Sequence, residues 1–62
     1  MKLQYEIFER LPSGAVLRAV VTGLFETQRV LFELGEKTQN ACYAIYPPTQ
    51  EIVARANFSY VG

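Results

Sequence analysis

The sequence contains no histidine, no aspartate and no tryptophan, and Cys42 is its only cysteine. Without histidine, the chain lacks the side chain that most often serves as general base or metal ligand near neutral pH. A single cysteine cannot form a disulfide within the chain or build a cysteine-based zinc site. These absences remove the common catalytic triads and redox pairs, and we expect no metal and no cofactor.

Neither sign of charge dominates, because six Lys and Arg side chains balance six Glu side chains at pH 7. The two signs are interspersed, so no basic stripe is predicted and nucleic acid is an unfavoured partner. No stretch approaches the roughly 18 apolar residues that a membrane span requires, and the opening MKLQYEIFER acquires charge too early for the apolar core of a signal peptide. We therefore expect a cytoplasmic protein that does not associate with membranes.

The chain is short, and its 62 residues predict one small domain over residues 1–62. A chain of this size buries only about 60% of the surface that its unfolded form exposes. The resulting hydrophobic stabilisation is close to the conformational entropy that folding removes. Since neither a disulfide nor a metal site is expected, self-association in the form of a homodimer is predicted to supply the missing stability.

The first two strands form a predicted hairpin. Residues 3–10 alternate apolar and polar side chains, LPSG follows as a turn, and residues 15–22 read as the second strand. Gly14 can take a positive φ angle, which favours a three-residue loop with a glycine bulge. The register that follows pairs Leu11 with Ala15, Phe8 with Arg18, Ile7 with Ala19 and Tyr5 with Val21.

From residue 24 the apolar period changes to that of an amphipathic helix. Thr22 or Gly23 can cap its start, and Asn40 can supply a left-handed stop. Gly35 lies at the centre of the apolar side, where it predicts a close approach to the sheet, unless the helix already ends one residue earlier.

Two further strands follow the helix, over residues 41–46 and 51–56, and Pro47 must end the first of them. Pairing across the PPTQ turn is expected to place Ile45 opposite Ile52, and Tyr43 opposite Ala54. The elements predict an α+β fold of order β-β-α-β-β, with one amphipathic helix packed on a small four-stranded, mainly antiparallel sheet. The strand order is not determined, and the aromatic tail, residues 57–62, is expected to dock on the rest of the chain.

Two residues are candidates for chemistry. Cys42 is predicted to face Arg55 across the ladder, and a neighbouring cation can lower the pKa of a thiol. No histidine base or second cysteine completes such a site, so a small buried hydrophobe is the better interpretation. Glu9 falls on the core side near the end of the sheet, where we expect its carboxylate to reach water. No catalytic residue is predicted, and we expect a protein that is not an enzyme.

The stronger signal is a second apolar face of the sheet, on the side away from the helix. A two-layer protein ordinarily presents a polar face there, so this face is predicted to be an interface between two copies or a binding surface. A small protein-interaction module that homodimerises is the favoured function, and a nucleic-acid or small-ligand platform is the alternative. The predicted face consists of Phe8, Val16, Arg18, Val20, Cys42, Tyr46, Val53 and Arg55.

The segments YEIFERLPSG and ACYAIYPPTQEIV, separated by a helix, resemble a group of short bacterial proteins of unknown function. Those proteins share a YEIF-type first strand, a Pro-Ser/Asp-Gly turn, a helix with glutamate and arginine, and an aromatic third strand. The resemblance implies a bacterial, cytoplasmic setting. It implies no activity, cofactor or site residue.

Overall fold

The computed structural model describes residues 3–57, which form one four-stranded antiparallel sheet and one helix. The predicted α+β order β-β-α-β-β is confirmed, and the strands lie side by side in the order β2-β1-β3-β4. Of the tail that we expected to dock, residues 57–62, only Asn57 is described, and its side chain donates to the Gly35 and Asn40 carbonyls; residues 58–62 lie outside the described residues. The elements are β1 (Gln4–Leu11), β2 (Gly14–Thr22), α1 (Leu24–Thr38), β3 (Cys42–Tyr46) and β4 (Glu51–Ala56).

The β1–β2 hairpin has a shorter loop than the sequence predicts. Leu11 pairs with Gly14, which leaves Pro12 and Ser13 as the loop, and Gly14 has a φ of 132°. A φ in this range favours glycine, because a Cβ atom would strain the backbone there. The predicted pairing of Leu11 with Ala15 is therefore wrong by one residue.

A β-bulge restores the predicted register further along the hairpin. Ile7 pairs with Ala19, as expected, but Phe8 pairs with Leu17, so that Arg18 is the extra residue of the bulge. The predicted pairing of Phe8 with Arg18 is wrong for this reason. Paired residues point to the same side of a sheet. The shift therefore places Leu17 beside Phe8 on the face away from the helix, and it moves Val16 to the helix side, beside Glu9.

The helix begins at a glycine cap and is stabilised by its own side chains. Gly23 is the N-cap, with a φ of 89°, and its carbonyl accepts hydrogen bonds from the backbone N–H and the hydroxyl of Thr27. Arg29 forms ion pairs with Glu26 and Glu33 on the exposed side. Across residues 3–57, no helix is both long enough and apolar enough to span a membrane.

The helix ends one residue earlier than the predicted stop. Gln39 is the C-cap in the left-handed conformation, with a φ of 63°, and its N–H donates to the Gly35 carbonyl. Asn40, the predicted stop, instead directs its side-chain amide to Thr38 and to β1. The amide that could have favoured a left-handed cap is thus used for a tertiary contact.

Small side chains let the helix lie close to the sheet. Gly35 is within the helix, as predicted, and a Cβ atom built on it would lie 3.1 Å from the Cβ of Ala56. The Asn57 side chain closes this contact by donating to the Gly35 carbonyl at 2.6 Å. The core beneath the helix consists of Ile7, Leu31, Cys42 and Ala44, with alanines 19, 54 and 56 packed around it.

The β3–β4 hairpin also contains a bulge. Ile45 pairs with Ile52, as predicted, whereas Tyr43 pairs with Arg55 and not with Ala54. The register shifts between these pairs, and Val53 is the extra residue on β4. The strand β3 ends at Tyr46, immediately before Pro47, in agreement with the prediction.

Candidate functional site

Cys42 is buried under the helix and does not form a reactive site. Its side chain is fully buried, and the residue paired with it on β4 is Ala56. Its thiol donates a hydrogen bond to the Asn40 carbonyl at 3.4 Å. Burial, together with the nearby Glu9 carboxylate, raises the pKa of the Cys42 thiol. The expected contact with Arg55 is wrong, because Arg55 lies on the opposite face of the sheet. A thiol with a raised pKa and no access to solvent is a poor nucleophile.

We expect an alkylating reagent to modify Cys42 at least about tenfold more slowly in the folded protein than it modifies free cysteine at the same pH, because reaction requires local opening. Mass spectrometry of the iodoacetamide adduct against time measures this rate. The same protein in concentrated urea is the control, and its Cys42 should react like free cysteine. Rapid modification in the folded state would contradict the buried position.

Glu9 is held in a polar cluster where β1 meets the end of the helix. Its carboxylate accepts hydrogen bonds from the Thr38 hydroxyl, from the Asn40 amide at 2.7 Å and from Arg18 Nε at 2.7 Å. Only 4% of the residue is exposed, so the expectation that Glu9 reaches water is wrong. The bonds from Thr38, Asn40 and Arg18 lower the pKa of Glu9 to about 2, against an ordinary value of 4.5.

This cluster is a structural feature and has no arrangement suited to catalysis. A carboxylate with a pKa of about 2 is a weak base, and it is poorly suited to general acid or base catalysis near neutral pH. Its oxygens are already occupied by three donors, Thr38, Asn40 and Arg18, none of which was predicted to contact Glu9. Within residues 3–57, no group of three acidic or cysteine side chains is placed to hold a metal ion.

The face of the sheet away from α1, which we call the outer face, carries the apolar surface. Residues of β1 that alternate with buried Ile7 and Glu9 point to this side, as do their partners on the neighbouring strands. The residues form two rows across the four strands. The first row is Val20, Glu6, Ile45 and Ile52, and the second is Leu17, Phe8, Tyr43 and Arg55.

The outer face contains large side chains that no element within residues 3–57 covers. Val20, Leu17 and Ile52 are exposed, and so is Val53 in the β4 bulge. Phe8 and Tyr43 stack at the centre, with their ring centroids 5.7 Å apart and their planes 17° apart. The two central strands therefore present an aromatic pair in the middle of an apolar surface.

Three of the eight residues predicted for this face lie on it, namely Phe8, Val20 and Arg55. Val53, at the β4 bulge, is 40% exposed and borders them. The other four are placed differently, so the prediction that all eight share one face is wrong. Val16 pairs with Glu9, Arg18 donates to Glu9, Cys42 is in the core, and Tyr46 packs against Tyr5 with their ring centroids 5.8 Å apart.

The bulge in β2 explains the correction for Val16 and Arg18, and the size of the residues under the helix explains the correction for β3. The sequence interpretation assigned the bulkier alternation of β3, Tyr43 and Ile45, to the helix side. Because Gly35 brings the helix against the sheet, only the small alternation of Cys42 and Ala44 fits there. The alanines of β3 and β4, taken with a glycine in the helix, were the signal that could have identified three missed outer-face residues, Tyr43, Ile45 and Ile52. The fourth, Leu17, reaches the outer face through the bulge at Arg18.

Two of the concave regions among the described residues adjoin α1, away from the outer face. A groove of about 190 Å³ runs between α1 and edge strand β2, and it is smaller than the roughly 300 Å³ at which ligand pockets begin. A larger cleft of about 470 Å³ opens at the start of α1, lined mainly by apolar side chains such as Leu3, Leu24 and Phe25. The cleft has one charged residue in its lining, Glu26. The groove combines apolar side chains with three charged ones, Arg18, Glu33 and Lys37, but its volume is below that of a ligand pocket.

The fold and the outer face define a class: a small α+β protein with an open, largely apolar sheet. Comparisons of the chain with protein-family models, with curated proteins and with solved structures gave no match. The resemblance to short bacterial proteins stays a prediction.

Proposed function

We propose that this protein is a small, non-enzymatic interaction module that homodimerises through the outer face of its sheet. The observation that carries the proposal is the exposed apolar surface that Leu17, Val20 and Ile52 form around the stacked Phe8–Tyr43 pair. Surface patches of this kind on small soluble domains mark places where another molecule docks.

A second copy suits this surface for energetic reasons. Among the described residues, the core fully buries few large side chains, chiefly Ile7 and Leu31, which is a small hydrophobic contribution for these 55 residues. Packing the outer faces of two copies together buries further apolar area, and the backbone conformational entropy has already been lost in folding. Folding and association then stabilise each other, and the free energy of unfolding depends on protein concentration.

Replacing Val20 by glutamate tests the proposal. The side chain is 55% exposed on the outer face, and the substitution adds a carboxylate next to Glu6 on the paired strand. We expect the dimer to dissociate at least about tenfold more readily, because a charge that loses its water on association is costly. Sedimentation velocity over a range of protein concentrations, with native mass spectrometry, measures the subunit number.

Phe32→Glu is the matched control, because Phe32 has the same 55% exposed fraction but lies on the helix. It should leave the dimer intact, and far-UV circular dichroism checks that both variants fold. A wild-type protein that is monomeric at every concentration would overturn homodimerisation. A Val20→Glu variant that dimerises like wild type would place the interface elsewhere.

A second candidate function is a platform for single-stranded nucleic acid. One observation favours it: the stacked Phe8–Tyr43 pair lies on the central strands, and Arg55 is the cross-strand partner of Tyr43. Exposed aromatics next to arginine can stack unpaired bases. The net charge of zero argues against it, since phosphate contacts provide most of the affinity. Fluorescence anisotropy with mixed single-stranded DNA and RNA at low salt tests it, and absence of binding removes it.

A further inference from the structure

The charges on β1 are arranged symmetrically around Phe8. The outer face receives every second residue of β1, including Glu6, Phe8 and Arg10. Along the strand, each of these residues is about 7 Å from the next. Within residues 3–57, neither Glu6 nor Arg10 forms an ion pair inside the chain. An acid and a base thus flank an aromatic ring at equal distances, and neither is neutralised by another group of the described residues.

We propose, on the basis of the homodimer proposed above, that a second copy packs on the outer face about a two-fold axis through Phe8 and perpendicular to β1. In this arrangement the two β1 strands run antiparallel across the interface. Position 6 of one copy faces position 10 of the other, because both are two residues from the axis. Glu6 of each copy then pairs with Arg10 of its partner, and the two Phe8 rings meet between the two ion pairs.

Two other two-fold arrangements leave Glu6 without an oppositely charged partner. An axis that runs along β1 brings Glu6 of one copy against Glu6 of the other, and like charges at an interface repel. An axis between β1 and β3 places Glu6 against Ile45, the residue with which it pairs in its own sheet. A carboxylate buried against an apolar side chain loses its hydration without compensation. Of these three axes, the one perpendicular to the strands matches an acid to a base in both copies.

The dimensions of the outer face agree with a modest interface that needs these pairs. Four strands about 4.8 Å apart span roughly 19 Å, and six residues of a strand extend for about 20 Å. The flat area is therefore about 400 Å², smaller than the roughly 800 Å² per partner of a standard interface even after pleating is allowed for. The separation of about 10 Å between packed sheets is within reach of paired Glu and Arg side chains.

One contact of the arrangement is unfavourable but weak. The axis runs along the second row, so the two Arg55 side chains approach each other at the β4 edge. Arg55 is exposed, and its guanidinium group reaches water at the rim, where solvent and salt screen repulsion. In the pairs nearer the centre of the interface, Glu6 is already partly buried in the single chain, and Arg10 is exposed until the second copy covers it.

Charge reversal tests the pairing directly. In the Glu6→Arg variant both positions are basic, and in the Arg10→Glu variant both are acidic, so each variant alone should dimerise at least about tenfold more weakly than wild type. An equimolar mixture of the two should form a heterodimer, in which every basic position faces an acidic one. The double variant, Glu6→Arg with Arg10→Glu, should recover the homodimer. Sedimentation velocity and native mass spectrometry distinguish these species by mass.

Matched controls lie on the exposed side of the helix, where Glu36→Arg and Lys37→Glu reverse charges without touching the outer face. Each should dimerise like wild type, and mixing them should give no preference for the heterodimer. The neutral variants Glu6→Gln and Arg10→Gln provide a milder test in case a reversal disturbs folding. They should weaken the dimer by several-fold, because each removes two ion pairs from a symmetric interface.

The results separate this inference from the proposal on which it rests. If Val20→Glu dissociates the dimer but Glu6→Arg and Arg10→Glu do not, the outer face is the interface and the Phe8 axis is wrong. If the mixed variants form no heterodimer, the pairing is also wrong. A wild-type monomer that binds oligonucleotides would overturn both, and would assign the outer face to nucleic acid.

Discussion

Replacing Leu31 by alanine is expected to remove a large part of the stability of the folded protein. Leu31 is fully buried, and it packs from the helix against Ile7, Cys42 and Ala44. Removing a buried leucine side chain costs about 2–5 kcal/mol, because the cavity it leaves is only partly filled. The whole chain is expected to be stable by about 3–9 kcal/mol at 0.05–0.15 kcal/mol per residue. Thermal unfolding followed by circular dichroism should show a Tm lower by about 10 °C or more.

Phe25→Ala is the control for this experiment, since it truncates a larger apolar side chain of the same helix that is 82% exposed. We expect it to change the free energy of unfolding by no more than about 0.5 kcal/mol. Both variants should be compared with wild type at one protein concentration, because association contributes to stability. A Leu31→Ala protein that melts within a few degrees of wild type would show that this core does not hold the helix on the sheet.

The order of the elements could be predicted because strands and helices have different apolar periods. Alternation gives the strands, and the change of period after Gly23 gives the helix. Local chemistry also located the end of β3, since Pro47 cannot continue a ladder. These signals lie within a few residues of one another, so they do not depend on how distant segments meet.

Two bulges could not be predicted from alternation alone. Each inserts one residue, Arg18 in β2 and Val53 in β4, and shifts the strand beyond it relative to its partner. A shift of one residue moves a side chain to the other face of the sheet, which is why Val16 was assigned to the wrong side. The placement of β3 beside β1 likewise depends on packing between segments that are distant in the chain, as in the pairing of Ile7 with Ala44.

The sequence predicted that a second apolar face exists, but it did not predict most of the residues that form it. A second apolar face follows from the number of apolar side chains in the strands, and Phe8, Val20 and Arg55 were assigned to it correctly. The assignment of Val16 and Arg18 depended on the bulge in β2, and that of Cys42 depended on which alternation of β3 the helix would cover. The close contact of Gly35 with Ala56 decided this in favour of small residues.

The polar cluster at Glu9 makes the stability of the protein depend on pH. Its pKa is about 2 in the folded protein and near 4.5 when the chain is unfolded, so the unfolded chain binds the proton more readily. The stabilisation from the ionised carboxylate is therefore complete above about pH 5 and is lost as the pH falls towards 2. Urea unfolding at pH 7, 5, 4 and 3 should show a free energy of unfolding that declines over the lower part of this range.

Glu9→Gln isolates the contribution of this carboxylate. Glutamine keeps the shape of the side chain, but its NH₂ group faces the donors Thr38, Asn40 and Arg18, so the variant should be less stable than wild type at pH 7. The difference should shrink towards pH 3, because wild type loses stability there and glutamine has no proton to bind. Glu36→Gln, at an exposed position on the helix, should keep the acid dependence of wild type. A Glu9→Gln deficit that is the same at pH 7 and pH 3 would mean that the charge of Glu9 contributes nothing, and that the three donors hold the residue by shape and neutral hydrogen bonding alone.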